Sequence, residues 1–183
     1  MPAAEPTTAV PDARHRQLVG LADRYRELAA ENYVQIRSVA EQLRDGLCGW
    51  FGTAGPPCVR LVPAEGPFDA REYGDAALSM PGTGFQKLEP IAFGLAVRVS
   101  ETDDWLRVTL ICRKEGATFT LQIKEGESVE LPWPLDAESP LAFYEGVHAH
   151  LARWFAERIE LYEQGEYGHS QIGFDFSRFR AEG

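Results

Sequence analysis

Along residues 12–50 apolar side chains recur with a period close to that of an α-helix. Leu18, Leu21, Ala22, Tyr25, Leu28, Ala29, Ile36, Val39, Ala40, Leu43, Leu47 and Trp50 fall within about 100° of one another on a helical wheel. The opposite side carries Arg14, Arg16, Asp23, Arg26, Glu27, Arg37, Glu41 and Arg44, the mixed signs of a solvated face. The pattern predicts one long amphipathic helix with Asp12 as its N-cap. At 1.5 Å per residue it would be roughly 55 Å long, more than the width of a small domain, so it must bend or overhang.

Gly20 and Gly46 are the weak points for bending, because glycine costs about 1 kcal/mol relative to alanine inside a helix. If the helix stays straight, its free end needs a partner. The stripe also fits a heptad, with Leu18, Tyr25, Asn32 and Val39 at one seam position and Ala22, Ala29, Ile36 and Leu43 at the other. Asn32 either fixes the register of a helix pair or bonds to water or backbone at the edge of an internal interface.

The period then changes from 3.6 to 2. Ile91, Phe93, Leu95, Val97 and Val99 alternate with smaller or polar residues, as do Leu106 to Cys112, Phe119 to Ile123, and Val129 to Trp133. The intervening segments are short and polar, so an antiparallel meander across 91–133 is expected rather than a parallel sheet with crossovers. Before it, Phe51 to Pro57 reads as a chain reversal and Cys58 to Val62 as a short strand. Residues 63–90 are rich in Gly and Pro without a period, and either hide a short element near Ala76 to Met80 or form a loop over a site.

Ser139 and Pro140 read as the N-cap and first residue of a second helix, at 140–164, with Leu141, Tyr144, Val147, Leu151, Trp154, Phe155, Ile159 and Tyr162 on one face. Ile172, Phe174 and Phe176 alternate as a further edge strand would. Together these elements predict an α+β fold, a two-layer sandwich in which the two helices cover one face of a four- to five-stranded meander. Residues 1–11 have the composition of a flexible tail, leaving 12–183 as one domain.

Composition adds limits on function. A net charge of −10 disfavours nonspecific attraction to nucleic-acid phosphates. No apolar run is long enough to span a bilayer and no secretory signal pattern opens the chain, so a cytoplasmic protein is expected. The three cysteines, Cys48, Cys58 and Cys112, are expected as free thiols, although a Cys48–Cys58 bridge across the Gly52 to Pro57 turn is geometrically conceivable.

Catalytic templates are absent: there is no Walker loop, no G-x-G-x-x-G after a strand, no G-x-S-x-G and no H-E-x-x-H. His148 and His150 lie about 160° apart on a helix and so cannot share one metal ion; no cofactor or metal is expected. His148, with Tyr144 and Glu145 nearby, is a minor candidate for acid–base work. With turns at Glu101–Asp104 and Glu115–Gly116, Arg98 would face Arg107 and Arg107 would face Lys124. That cationic row would suit a small anion or an acidic partner, or else simply splay into water. Arg158, one turn after Trp154, suits stacking on the indole more than ligand contact.

The function these features favour is a non-enzymatic interaction or adaptor protein, expected to be a homodimer. The alternative is a small-ligand-binding domain or enzyme, with a pocket between sheet and second helix under the 63–90 loop using His148, Tyr144 and Arg158.

Overall fold

A computed structural model describes residues 13–52, 57–69, 71–79 and 87–166, together with the backbone of 176–178. The tail expected at 1–11 and the cap expected at Asp12 lie outside them. Helix α1 (Ala13–Trp50) is followed by β1 (Val59–Val62), a single 3-10 turn (Gly74–Ala77), β2 (Ile91–Arg98), β3 (Asp104–Glu115), β4 (Thr118–Ile123), β5 (Ser128–Pro132), α2 (Leu141–Glu163) and β6 (Phe176–Arg178). The strands form one antiparallel sheet in the order β1-β2-β3-β4-β5, and the α+β two-layer arrangement holds.

β6 does not extend the outer edge. It pairs with Asp104–Leu106 of β3, beyond the reach of β4. The sequence places Ile172 and Phe174 in the same strand, but they lie outside the described residues.

Alternation puts Val59, Leu61, Phe93, Leu95, Leu106, Val108, Leu110, Phe119, Leu121 and Leu131 on one face of the sheet, all buried. Against that face pack Ile36, Val39, Ala40, Leu43 and Leu47 from α1, with Phe143, Tyr144, Val147 and Leu151 from α2. α1 is one unbroken helix of 38 residues, roughly 57 Å at 1.5 Å per residue. It overhangs: every residue from Ala13 to Leu21 is exposed, and the first buried one is Ala29.

Gly46 has a packing role rather than a bending one. A Cβ there would lie 2.0 Å from the Tyr144 hydroxyl, so glycine is what lets α1 and α2 cross at this point. α2 begins one residue later than the cap motif implies, with Pro140 itself at the N-cap. Ser139 is engaged elsewhere, its N–H donating to Asp136 Oδ1 at 2.7 Å in the preceding turn.

Residues 63–69 form a cover on the other face of the sheet, and 71–79 follow it. Val62, Phe68, Ala96 and Trp105 make a small second core there, flanked by Tyr73. β2 presents small residues to this face, Ala92, Gly94 and Ala96, and a Cβ on Gly94 would meet Val62, Arg107 and the Pro63 carbonyl at 2.8–3.0 Å. The segment continues around the β1 edge, held to α1 by Tyr33 and Arg37 on Asp75, and by Glu72 between Arg44 (3.8 Å) and Arg60 (2.8 Å). An edge flanked in this way is a poor template for strand addition. Of the short element expected near Ala76 to Met80, the structure has the 3-10 turn and a bridge from Leu78 to Phe93.

The cysteines depart from the free-thiol expectation. Cys48 and Cys58 form a disulfide with Cα atoms 5.5 Å apart, tying the end of α1 to the start of β1. Only Cys112 is free, buried in the main core, where desolvation pushes its thiol up to about 12.

Candidate functional site

The predicted cationic row is absent, because each hairpin turns one residue later or earlier than its sequence suggests. Asp104 belongs to β3, not to the loop: its carboxylate accepts from the hydroxyls of Ser100 (2.8 Å) and Thr102 (3.1 Å), and the turn is taken by Ser100 to Asp103, with Asp103 at φ 67°. The next turn is Gly116–Ala117, with Gly116 at φ 62° supplying the left-handed first position. Arg98 therefore faces Trp105 and Arg107 faces Ala96. Lys124 lies level with Thr109, whose carbonyl accepts its N–H. A two-residue slip keeps each side chain on its expected face but changes every partner.

The three cations also differ in environment. Arg107 is 5% exposed, donates to the carbonyls of Pro63 (3.0 Å) and Gly66 (2.7 Å), and lies over the Phe68 ring at 5.0 Å. It anchors the cover and is closed to an external partner. Lys124 sits 3.9 Å from Glu65 at the rim of that cover. Arg98 lies on the same sheet face as Trp105, and its backbone N–H donates to the Cys58 carbonyl at 2.8 Å beside a cavity.

That cavity, about 310 Å³, opens where the end of β2 and the start of β1 meet α2 and the C-terminal end of α1. Val97, Val99, Leu151, Ala152 and Phe155 make its apolar wall, Phe51 and the disulfide's Cys58 close one side, and His148 is the polar side chain in the lining, since alternation turns the Arg98 side chain to the other face of the sheet. It is at the small end of ligand-pocket volumes and, like most of them, is mostly apolar. His148 is on the exposed side of α2, its ring 6.1 Å from that of Trp50 and 6.3 Å from that of Phe51. The pocket expected between sheet and second helix thus exists, but it does not lie under the 63–69 cover, which is on the opposite face.

The other expected pocket residues are elsewhere. Tyr144 is buried against Gly46 and borders a separate cleft between the helices, with its phenol pushed up by desolvation. Arg158 stacks over Trp154 at 4.9 Å, the structural role its spacing suggests. His150 is 8% exposed beside the β4–β5 turn, and desolvation, aided by Arg153, lowers its pKa. A Cβ on Gly126 would lie 3.2 Å from its Nδ1.

A second cavity of about 470 Å³ lies under the cover, floored by Ala92, Thr109 and Ile111 and rimmed by Glu65 and Lys124. Among the described residues no cluster of three or more His, Cys, Asp or Glu is placed to hold a metal, and no helix is long and apolar enough to cross a membrane. No protein-family model, curated protein or solved structure matches the chain.

Proposed function

We propose that the protein is a non-enzymatic interaction protein that pairs with a second copy through the projecting end of α1. The observation behind this reading is the overhang: Leu18 and Leu21, less than one turn apart, are 65% and 61% exposed on a helix whose later turns are buried on the sheet. An apolar helical stripe left in water favours association with a matching surface. The seam from Leu18 to Leu28 is only about 15 Å long, and so falls short of the roughly 800 Å² per partner of a stable complex. Weak, concentration-dependent pairing is therefore the expected regime.

Sedimentation equilibrium of the full chain is the test. The average mass should rise across micromolar to submillimolar concentrations, and Leu18→Asp with Leu21→Asp should suppress the rise without loss of circular dichroism. A strict monomer throughout that range would overturn the proposal.

A second reading, a small-ligand-binding domain, is favoured by one observation. A mostly apolar cavity of about 310 Å³, with His148 in its lining, opens between the end of the sheet and α2.

A further inference from the structure

We propose that the cleft between the C-terminal half of α1 and the start of α2 binds a small organic ammonium ion with an apolar body. The cleft, about 560 Å³, is separate from the pocket at the sheet end and from the projecting end of α1, so the site stands independently of both readings above. Its α1 wall is one strip of the helix, Gln42, Asp45, Gly46 and Gly49, residues three or four apart. Glycine leaves that wall bare, and a Cβ on Gly49 would meet no atom within 4 Å.

Tyr144 carries the argument for a ligand. Its hydroxyl, reaching across from α2, ends on this strip, 2.0 Å from where a Cβ of Gly46 would be. The residue is 6% exposed, yet its hydroxyl makes no hydrogen bond among the described residues. A polar group withdrawn so far from water usually has a partner, and a bound head group supplies one.

The charge of that head group follows from the surroundings. The lining holds two carboxylates, Asp45 and Asp136, and no Lys, Arg or His. Asp136 stands at the α2 end, where its Oδ1 accepts the N–H groups of Glu138 (3.0 Å) and Ser139 (2.7 Å), bonds that hold its carboxyl below the usual range and keep it ionised. Asp45 is on the strip itself. Arg44 binds one of its oxygens at 2.7 Å, but its charge still reaches Tyr144, where it adds to desolvation in pushing the phenol up. α1 also ends beside the cleft with no basic side chain in its last turn, leaving the partial negative charge of that terminus uncompensated. Trp50, 38% exposed, lines the same cleft, and indole is the strongest aromatic partner for an ammonium group. Leu135, Pro140 and Leu141 receive the apolar body.

The test is calorimetric titration of the full chain with phenethylammonium chloride and, separately, with 2-phenylethanol, which share a body and differ in head group. The ammonium should bind at one saturable site, about tenfold or more tightly than the alcohol. Asp45→Asn with Asp136→Asn should erase that preference, while the amide at 136 can still accept the two turn bonds. Tyr144→Phe should weaken the ammonium about fivefold. Gly49→Leu, which fills open space on the bare wall, should abolish binding of both probes. Equal binding of the two probes, or a double Asp→Asn variant that retains the preference, would overturn the cation assignment. Binding of neither probe, or binding indifferent to Gly49→Leu or to Tyr144→Phe, would overturn the site. Should the double variant fail to fold, the unmodified chain's preference between the probes still decides the charge, and the Tyr144→Phe and Gly49→Leu variants still decide the place.

Discussion

Gly46→Ala is expected to destabilise the protein, although the same change in an isolated helix does the opposite. Helix propensity alone would stabilise α1 by about 1 kcal/mol. Against this stands the added methyl group, placed 2.0 Å from the Tyr144 hydroxyl and 3.0 Å from its Cζ. The phenol has little room to retreat, since it is 6% exposed and its ring is flanked by Phe143 and Trp50 at 6.0 and 6.2 Å. Overpacking of this kind costs roughly 1–3 kcal/mol, so the net loss should be between about 0 and 2 kcal/mol. Tyr144→Phe removes the atom in the worst conflict. In that background Gly46→Ala should become neutral or stabilising, giving a coupling of roughly 1–3 kcal/mol across the double-mutant cycle. Urea denaturation followed by far-UV circular dichroism measures each corner of the cycle; with a slope near 2 kcal/mol/M, 1 kcal/mol moves the midpoint by about 0.5 M. If Gly46→Ala raises the midpoint equally in both backgrounds, the helices do not cross at this residue.

Three other outcomes follow from the same structure. The native chain should take up almost no maleimide, the denatured chain one equivalent at Cys112, and the denatured and reduced chain three; three equivalents without reductant would rule out the Cys48–Cys58 bond. Arg107→Met removes the donor to the Pro63 and Gly66 carbonyls and loses charge-assisted bonds worth about 1.5–3 kcal/mol each, so proteolysis within residues 63–69 should accelerate. An unchanged cleavage rate there would mean that the cover is held by other contacts. His150 has a folded pKa below its unfolded value of about 6.5, so the unfolded chain binds the extra proton and stability falls as pH drops through that range. Arg153 acts with burial in this direction, while Glu125 and Glu157 oppose it. His150→Gln should flatten the stability profile between pH 7 and 5, and a profile as steep as before would assign the slope to other groups.

The helices and strands were legible because each carries its period in adjacent residues. The seam of α1, the alternation of β2 to β5 and the stripe of α2 all depend on local geometry, and all appear within a few residues of their expected bounds. Partners across the sheet were harder, because they depend on turn chemistry. Asp104 reads as loop until its carboxylate is seen to gather Ser100 and Thr102, and Gly116 serves the first turn position rather than the second. The cover over the far face has no period at all. A signal for it did exist in β2, where Ala92, Gly94 and Ala96 stand at positions that a solvated face would fill with larger polar residues. The pocket combines the end of β2 and one face of α2 with Phe51 and Cys58, which lie just outside α1 and β1, and so depends on where β2 ends relative to α2.

The cover also bears on how the protein opens. Meander strands pair with their sequence neighbours, so the sheet can assemble from short-range contacts. Residues 63–69 have a surface to dock on only after β2 and β3 are paired, and beneath them lie four buried side chains, Val62, Phe68, Ala96 and Trp105, plus the bonds of Arg107. Such a unit has the lowest opening free energy of the layers described and should exchange its amide hydrogens ahead of them. When it lifts, it uncovers a shallow strip of alanine and glycine backbone along β2 while the main core on the opposite face stays shut. The two faces of this sheet are thus expected to open on different timescales, one fixed by the global stability of the fold and the other by Arg107 and the few polar contacts that hold the cover.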